Sequence, residues 1–358
     1  MDAKLLLGRL VSLADSGAID DGAVVVDGGR VAWVGPRSEL PERFAPLGAA
    51  ALRAPLVTPG LVDAHTHAAW VGSRHGEYVA KLRGEGYEAI AARGGGIVAS
   101  MRAIEEADAE TIAATLVERL RRMARMGVTS VEVKSGYGLR PELERRQLAA
   151  IATASRASGV PRVVPTFLAL HALPPESRGD EGKRADFVAS AARLVREVAA
   201  RKEARFVDAY VDRNAFRVDE ARAVMRVARE VGLGVRMHVG QFADVGGAEL
   251  CAELGARSAD HLENVGAEGL AAMAAAGVRA VLLPVASFVL GQTPPDVAAL
   301  RRAGVRLVVA SDANPGTAPT ESLPLAMSFA ARLYGMSTEE ILAGATREAA
   351  RSLELGSG

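Results

Sequence analysis

Six histidines occur in the chain: His65, His67, His75, His171, His238 and His261. Their spacing is its first chemical signal. His65 and His67 lie two apart at the end of the apolar run Leu61-Val62-Asp63-Ala64-His65. Side chains alternate along a strand, so residues i and i+2 point the same way, and two imidazoles so placed can share one cation. His238 closes the run Gly234-Val235-Arg236-Met237-His238, and His261 closes Ala256-Arg257-Ser258-Ala259-Asp260-His261. Asp312 closes Val305-Arg306-Leu307-Val308-Val309-Ala310-Ser311-Asp312. A His-x-His pair alone is more often a polar strand end than a ligand pair, but three further polar groups at strand ends shift that balance. Three imidazoles and a carboxylate drawn from these positions suit a borderline divalent cation such as Zn²⁺, with one position left for water. Such a cation brings the pKa of bound water to about 7, so hydroxide is available at neutral pH.

Other reactive types carry less. His75 follows Arg74 in a loop and is assigned no role. The single cysteine, Cys251, excludes an intrachain disulfide and sits in a helical pattern, as a buried structural thiol would. The run Arg93-Gly94-Gly95-Gly96-Ile97 reads as an extended active-site loop. It lacks the Gly-Lys-Ser/Thr that would make it a phosphate cradle.

The elements that must position these groups form a repeat. Besides the runs above, Val128–Lys134, Val163–His171, Phe206–Val211 and Ala280–Pro284 are short and apolar, which makes eight. After the first gap their ends fall roughly 23 to 40 residues apart, the spacing of successive βα units. Amphipathic stretches separate them. Ile112, Leu116, Leu120 and Met123 share one helical face before Gly127, and Val218, Ala221, Met225 and Ala228 share another before Gly232. Largely apolar strands predict a parallel sheet covered on its outer side. The fold class is α/β, a (β/α)₈ TIM-like barrel over residues 58–358. A small β domain over residues 1–57 precedes it, with a hairpin signal at Asp27-Gly28-Gly29. The C-terminal face of such a barrel is where active sites assemble.

Composition narrows the function. The chain is 49% hydrophobic and 24% charged, an ordinary globular mixture. Basic and acidic residues number 43 each, and aromatics make up 4%, which argues against a nucleic-acid partner. No apolar run is long enough for a membrane span, and no leader pattern opens the chain. The expectation is a cytoplasmic protein acting on a small molecule, without membrane or nucleic acid.

The order Val62-Asp63-Ala64-His65-Thr66-His67, His238, His261, Ser311-Asp312 resembles the amidohydrolase superfamily. More specific runs are similar to the imidazolonepropionase family. These are His65–Arg74, Arg93–Ile97, Lys134-Ser135-Gly136-Tyr137-Gly138, Ser258–Leu262 and Ser311-Asp312-Ala313-Asn314-Pro315-Gly316. The resemblance extends from about Pro59 to about Leu353. It implies hydrolysis of 4-imidazolone-5-propanoate to N-formimidoyl-L-glutamate in histidine degradation, by a metal-activated hydroxide. His65, His67, His238 and Asp312 would hold one divalent metal, Zn²⁺ or alternatively Fe²⁺. Asp312 would also move the proton, and His261 would polarise the carbonyl or orient the water. Arg74 matches the arginine that clamps the substrate carboxylate, a task suited to its planar fork. Tyr137, His171 and Tyr87 match substrate contacts, and the loop of Asn314, Gly316 and Thr317 offers amides to ring or tail. A homodimer is a further implication. The alternative is another amidohydrolase acting on a cyclic amide or a nucleobase-like ring; a metal-stabilised binding protein is a more distant one. Lys134, at the end of the second strand, is in the wrong place for the carbamylated lysine of binuclear relatives.

Two departures stand out. Gln241 lies three residues after His238, where some members of the family carry a glutamate proposed as the base. Glutamine is no base near neutral pH but donates and accepts hydrogen bonds, so Gln241 is expected to orient substrate. The resemblance also implies a chain continuing some tens of residues further, to complete the small β unit. Here Gly358 is last, so a truncated chain with an exposed sheet edge is expected.

Overall fold

The computed structural model describes residues 3–13, 17–86, 89–90 and 94–356. The chain divides into two compact units, Met1–Gly60 with Glu354–Gly358, and Leu61–Leu353. The first holds a four-stranded sheet of β1 (Lys4–Val11), β2 (Ala18–Asp27), β3 (Arg30–Pro36) and β4 (Leu52–Val57) in the order β3-β2-β1-β4. Gly28 and Gly29, with φ of 55° and 77°, make the two-residue turn between β2 and β3. Both central residues of a type I′ hairpin turn need positive φ, and glycine adopts it without a Cβ clash. Leu5, Leu7, Ala23, Val25 and Phe44 form the small core of this unit.

The second unit is built on eight parallel strands. They are β5 (Leu61–Asp63), β6 (Val128–Lys134), β7 (Arg162–Leu170), β8 (Phe206–Val211), β9 (Gly234–Val239), β10 (Ser258–His261), β11 (Arg279–Leu282) and β12 (Leu307–Val309). They pair in chain order from β5 to β12. Thr66 bridges Ala313 in parallel, and the Asp312 and His67 amides donate to the carbonyls of His65 and Ala313 at 3.1 and 3.0 Å. The first and last strands thus meet beyond their regular ends, and the sheet closes. This is the (β/α)₈ barrel that eight apolar runs predict. The runs ending in His65 and Asp312 are regular for only part of their length, because the backbone at the seam turns out of the ladder. Asp312 itself has φ 55°.

The helix Ala109–Arg125 buries Ile112, Leu116, Leu120 and Met123 completely, and Gly127 (φ 90°) ends the turn that follows. In the helix Val218–Glu230, Ala221, Met225 and Ala228 are buried. The long interval after β5 also contains helices His75–Leu82 and Ile97–Glu106, which periodicity did not signal.

Candidate metal centre and active site

Strands β6, β8, β9 and β10 carry charge inside apolar runs. Glu132, Lys134, Asp208, Arg236 and Asp260 all have 0% exposure. Lys134 Nζ donates to Glu132 Oε1 and to Asp208 Oδ2, each at 2.7 Å. Arg236 donates to the Ala64 carbonyl at 2.8 Å and lies 3.6 Å from Asp260. Above them, His65 Nδ1 is 2.6 Å from Asp260 Oδ2 and His238 Nδ1 is 3.0 Å from Asp208 Oδ1. In these contacts each Nδ1–H donates to a carboxylate, which leaves both Nε2 atoms for the barrel mouth.

The donors converge there. His67 Nε2 lies 3.2 Å from His238 Nε2, and Asp312 Oδ1 lies 3.6 Å from Nε2 of both His65 and His67. Zn–N and Zn–O bonds of about 2.0–2.2 Å span a tetrahedral edge of roughly 3.3–3.5 Å, and the observed separations bracket it. His65 Nε2 is buried without a hydrogen-bond partner. Burial, and behind it neighbouring Lys134 and imidazoles, holds His65 and His67 well below the usual histidine range, so their lone pairs are free. Burial likewise pushes Asp312 up to about 7 against the pull of His261 and Asn314. A divalent cation among these donors would offset that cost. His65, His67 and His238 therefore form a site able to hold a divalent metal ion, and Asp312 completes a donor set that fits one.

A second ring of residues borders the donors. His171 stacks on His67 with ring centroids 5.0 Å apart, and its Nδ1 donates to the Gly136 carbonyl at 2.8 Å. Burial pushes His171 down to about 3, which keeps it neutral. Tyr137 lies 5.2 Å from His171 and 6.0 Å from His67, between centroids. His261 lies 5.6 Å from His238. Burial lowers its basicity, but Glu263, followed by Asp312 and Asp260, more than reverses this. His261 has φ 84° and Asp312 φ 55°, a left-handed backbone that costs a non-glycine residue about 1–3 kcal/mol and concentrates at functional sites. Gln241 accepts from the Tyr210 hydroxyl at 2.8 Å, and the Tyr210 ring lies 5.8 Å from His238.

Arg74 and the loop after Asp312 form a neighbouring cluster. Arg74 Nε and Nη2 both donate to Glu77 Oε2, at 3.0 and 2.7 Å, and its guanidinium lies across Gly316. Glu77 Oε1 accepts from the Gly96 amide at 2.9 Å, which ties the glycine run to Arg74. The Gly316 and Thr317 amides, expected to face ligand, donate to Asn314 Oδ1 at 2.8 and 2.7 Å. Asn314 spends its side chain folding its own loop, so these residues shape the wall rather than offer open donors. Tyr87 lies outside the described residues, as does Arg93. A cavity of about 740 Å³ is lined by Trp70, Arg74, Arg119, Arg122 and Glu321 among others, and by none of the histidines named as donors. Glu321 pairs with both Arg119 and Arg122 there. Convergence of donor atoms, rather than depth, locates the chemistry.

Sequence reasoning missed Glu132, Asp208, Arg236, Asp260, Glu263 and Tyr210. Charged residues inside apolar strand runs, such as Arg236 two before His238, were the available signal.

The barrel and its histidines are those of an amidohydrolase, and the model described as "Amidohydrolase family" matches residues 56–358. A second, "Imidazolonepropionase-like composite domain, bacteria", matches residues 22–45. The imidazolonepropionase of Maricaulis maris (strain MCS10) is 45% identical over 340 residues, covering 95% of this chain and 83% of that protein. That of Acidiphilium cryptum (strain JF-5) is 46% identical over 343 residues, covering 95% and 84%. The chain belongs to the imidazolonepropionase family. Among solved structures, 5-methylcytosine deaminase from Klebsiella pneumoniae superposes with a TM-score of 0.76 at 16% identity, covering 98% of this chain and 87% of the other. Guanine deaminase from C. acetobutylicum gives 0.70 at 16% identity, with 98% and 87% covered. At that identity the likeness concerns the fold.

Proposed function

We propose that this chain opens the ring of 4-imidazolone-5-propanoate to give N-formimidoyl-L-glutamate. Water adds to the ring carbonyl carbon, the bond from that carbon to the ring nitrogen breaks, and the water proton ends on the departing nitrogen. His65, His67, His238 and Asp312 hold one divalent ion, Zn²⁺ by the nitrogen-rich donor set, with Fe²⁺ the alternative. When bound, that ion acidifies water and polarises a carbonyl. Asp312 takes the water proton and passes it on, work that Gln241 cannot do. His261 donates to the carbonyl oxygen as its charge develops. Arg74 receives the propanoate, and the resemblance assigns Tyr87 a substrate contact as well. Tyr137, His171 and Gln241 border the ring, while Asn314, Gly316 and Thr317 hold the wall against which Arg74 lies. The same reading makes the chain a cytoplasmic enzyme of histidine breakdown and, as an assembly, a homodimer. No helix among the described residues is long and apolar enough to cross a membrane.

The observation that carries this reading is the convergence of three imidazoles and Asp312 at one barrel mouth, in a chain of this family. Incubation with 4-imidazolone-5-propanoate should yield a product heavier by one water, with no free ammonia, by mass spectrometry and an ammonia assay. Ammonia release, or an unchanged substrate mass, would overturn the assignment.

A further inference from the structure

We infer that Lys134 is a positioning residue for the metal centre, acting through Asp208 on His238. The inference rests on reading His65, His67 and His238 as ligands. Lys134 never reaches the mouth, because its ammonium is held between Glu132 Oε1 and Asp208 Oδ2 at 2.7 Å each. That double ion pair also leaves no neutral amine for carbamylation. Asp208 spends one oxygen on Lys134 and the other on His238 Nδ1, at 3.0 Å. With both oxygens engaged, the carboxylate plane is fixed. His238 must then carry its proton on Nδ1 and present Nε2 toward His67 Nε2, 3.2 Å away. The chain of contacts runs from β6 across β7 to β8 and on to β9, so residues from three strands set one ring.

Stability does not account for the arrangement. Buried ion pairs are weak stabilisers, and well-packed apolar replacements are often neutral or better. A ligand set, by contrast, has to be held to about 0.5 Å, and the groups that orient it are part of the site. Beneath His65 the same design recurs, since Asp260 takes His65 Nδ1 at 2.6 Å and lies 3.6 Å from Arg236. Lys134 is the clearer case because both of its contacts are short hydrogen bonds.

The test compares full-length wild type, Lys134→Met, Asp208→Asn and the double variant, each loaded with zinc. Zinc transfer to a chromophoric chelator gives the affinity, and ¹⁵N-histidine spectra of the metal-free proteins give the His238 tautomer. Each single variant should bind zinc about 10–100-fold more weakly, the range seen when an outer partner of a metal ligand is removed. Asparagine at 208 offers one acceptor where His238 and Lys134 each need one. The double variant should be no weaker than the worse single, because both changes break one path. Wild-type spectra should show His238 protonated at Nδ1, and both variants a mixture. If Lys134→Met does not fold, with Glu132 and Asp208 left without their shared ammonium, Asp208→Asn decides. Wild type that binds no zinc would overturn the ligand reading and this inference with it. Wild type that binds zinc beside folded variants of equal affinity would overturn the inference alone, as would effects that multiply in the double variant.

Discussion

A Cβ at position 316 would come 2.4 Å from Arg74 Nη1 and 2.5 Å from its Cζ. Glycine there lets the guanidinium lie flat on the loop that follows Asp312. Gly316→Ala should therefore displace Arg74 and raise KM for the anionic substrate about tenfold, equivalent to roughly 1.4 kcal/mol, while kcat changes little. Steady-state kinetics checks this, and an unchanged KM would remove Arg74 from substrate binding. At this scale the donor residues were legible in the sequence because each stands at a strand end, where type and position coincide. The groups that aim them were not. The bond from Asp260 to His65 joins residues 195 apart, and that from Lys134 to Asp208 joins residues 74 apart. Such partnerships exist only once the strands are in register. The Asn314 loop shows the converse, since its amides look open in sequence but are satisfied within the loop.

The elements follow the rule that burial writes itself into periodicity. The helix Ala109–Arg125 was visible because its inner face is continuous from Ile112 to Met123. Leu116 is completely buried in that face, so Leu116→Ala should cost about 2–5 kcal/mol. Urea denaturation would show it as a lower midpoint, with kcat/KM of the folded protein close to wild type. A loss below about 0.5 kcal/mol, the size of an ordinary surface change, would contradict that packing. The helix His75–Leu82 escaped notice because it has no buried residues, and Ile97–Glu106 because only Ser100 and Ile104 are buried. Without an apolar stripe there is no period to read. The strands of the barrel were legible for the opposite reason, being covered on both faces.

In the whole barrel, the seam and the centre coincide. His65 follows the first strand and Asp312 the last, and the Asp312 amide donates to the His65 carbonyl. Closing the sheet is thus what brings a first-strand imidazole and an eighth-strand carboxylate within 3.6 Å. With a formal net charge of +0, the molecule has no overall field to draw in an anion, so capture rests on local groups such as Arg74. The central claim is that the four converging donors make a hydrolytic metal centre for 4-imidazolone-5-propanoate. It is tested most directly by ultraviolet measurement of substrate loss with metal-loaded wild type, chelated wild type and metal-loaded Asp312→Asn side by side. Turnover by the loaded wild type, reduced by about 10²–10⁴-fold or more in both other samples, is the predicted result. Full activity in the chelated protein or in Asp312→Asn, or no turnover by folded, metal-loaded wild type, would contradict it.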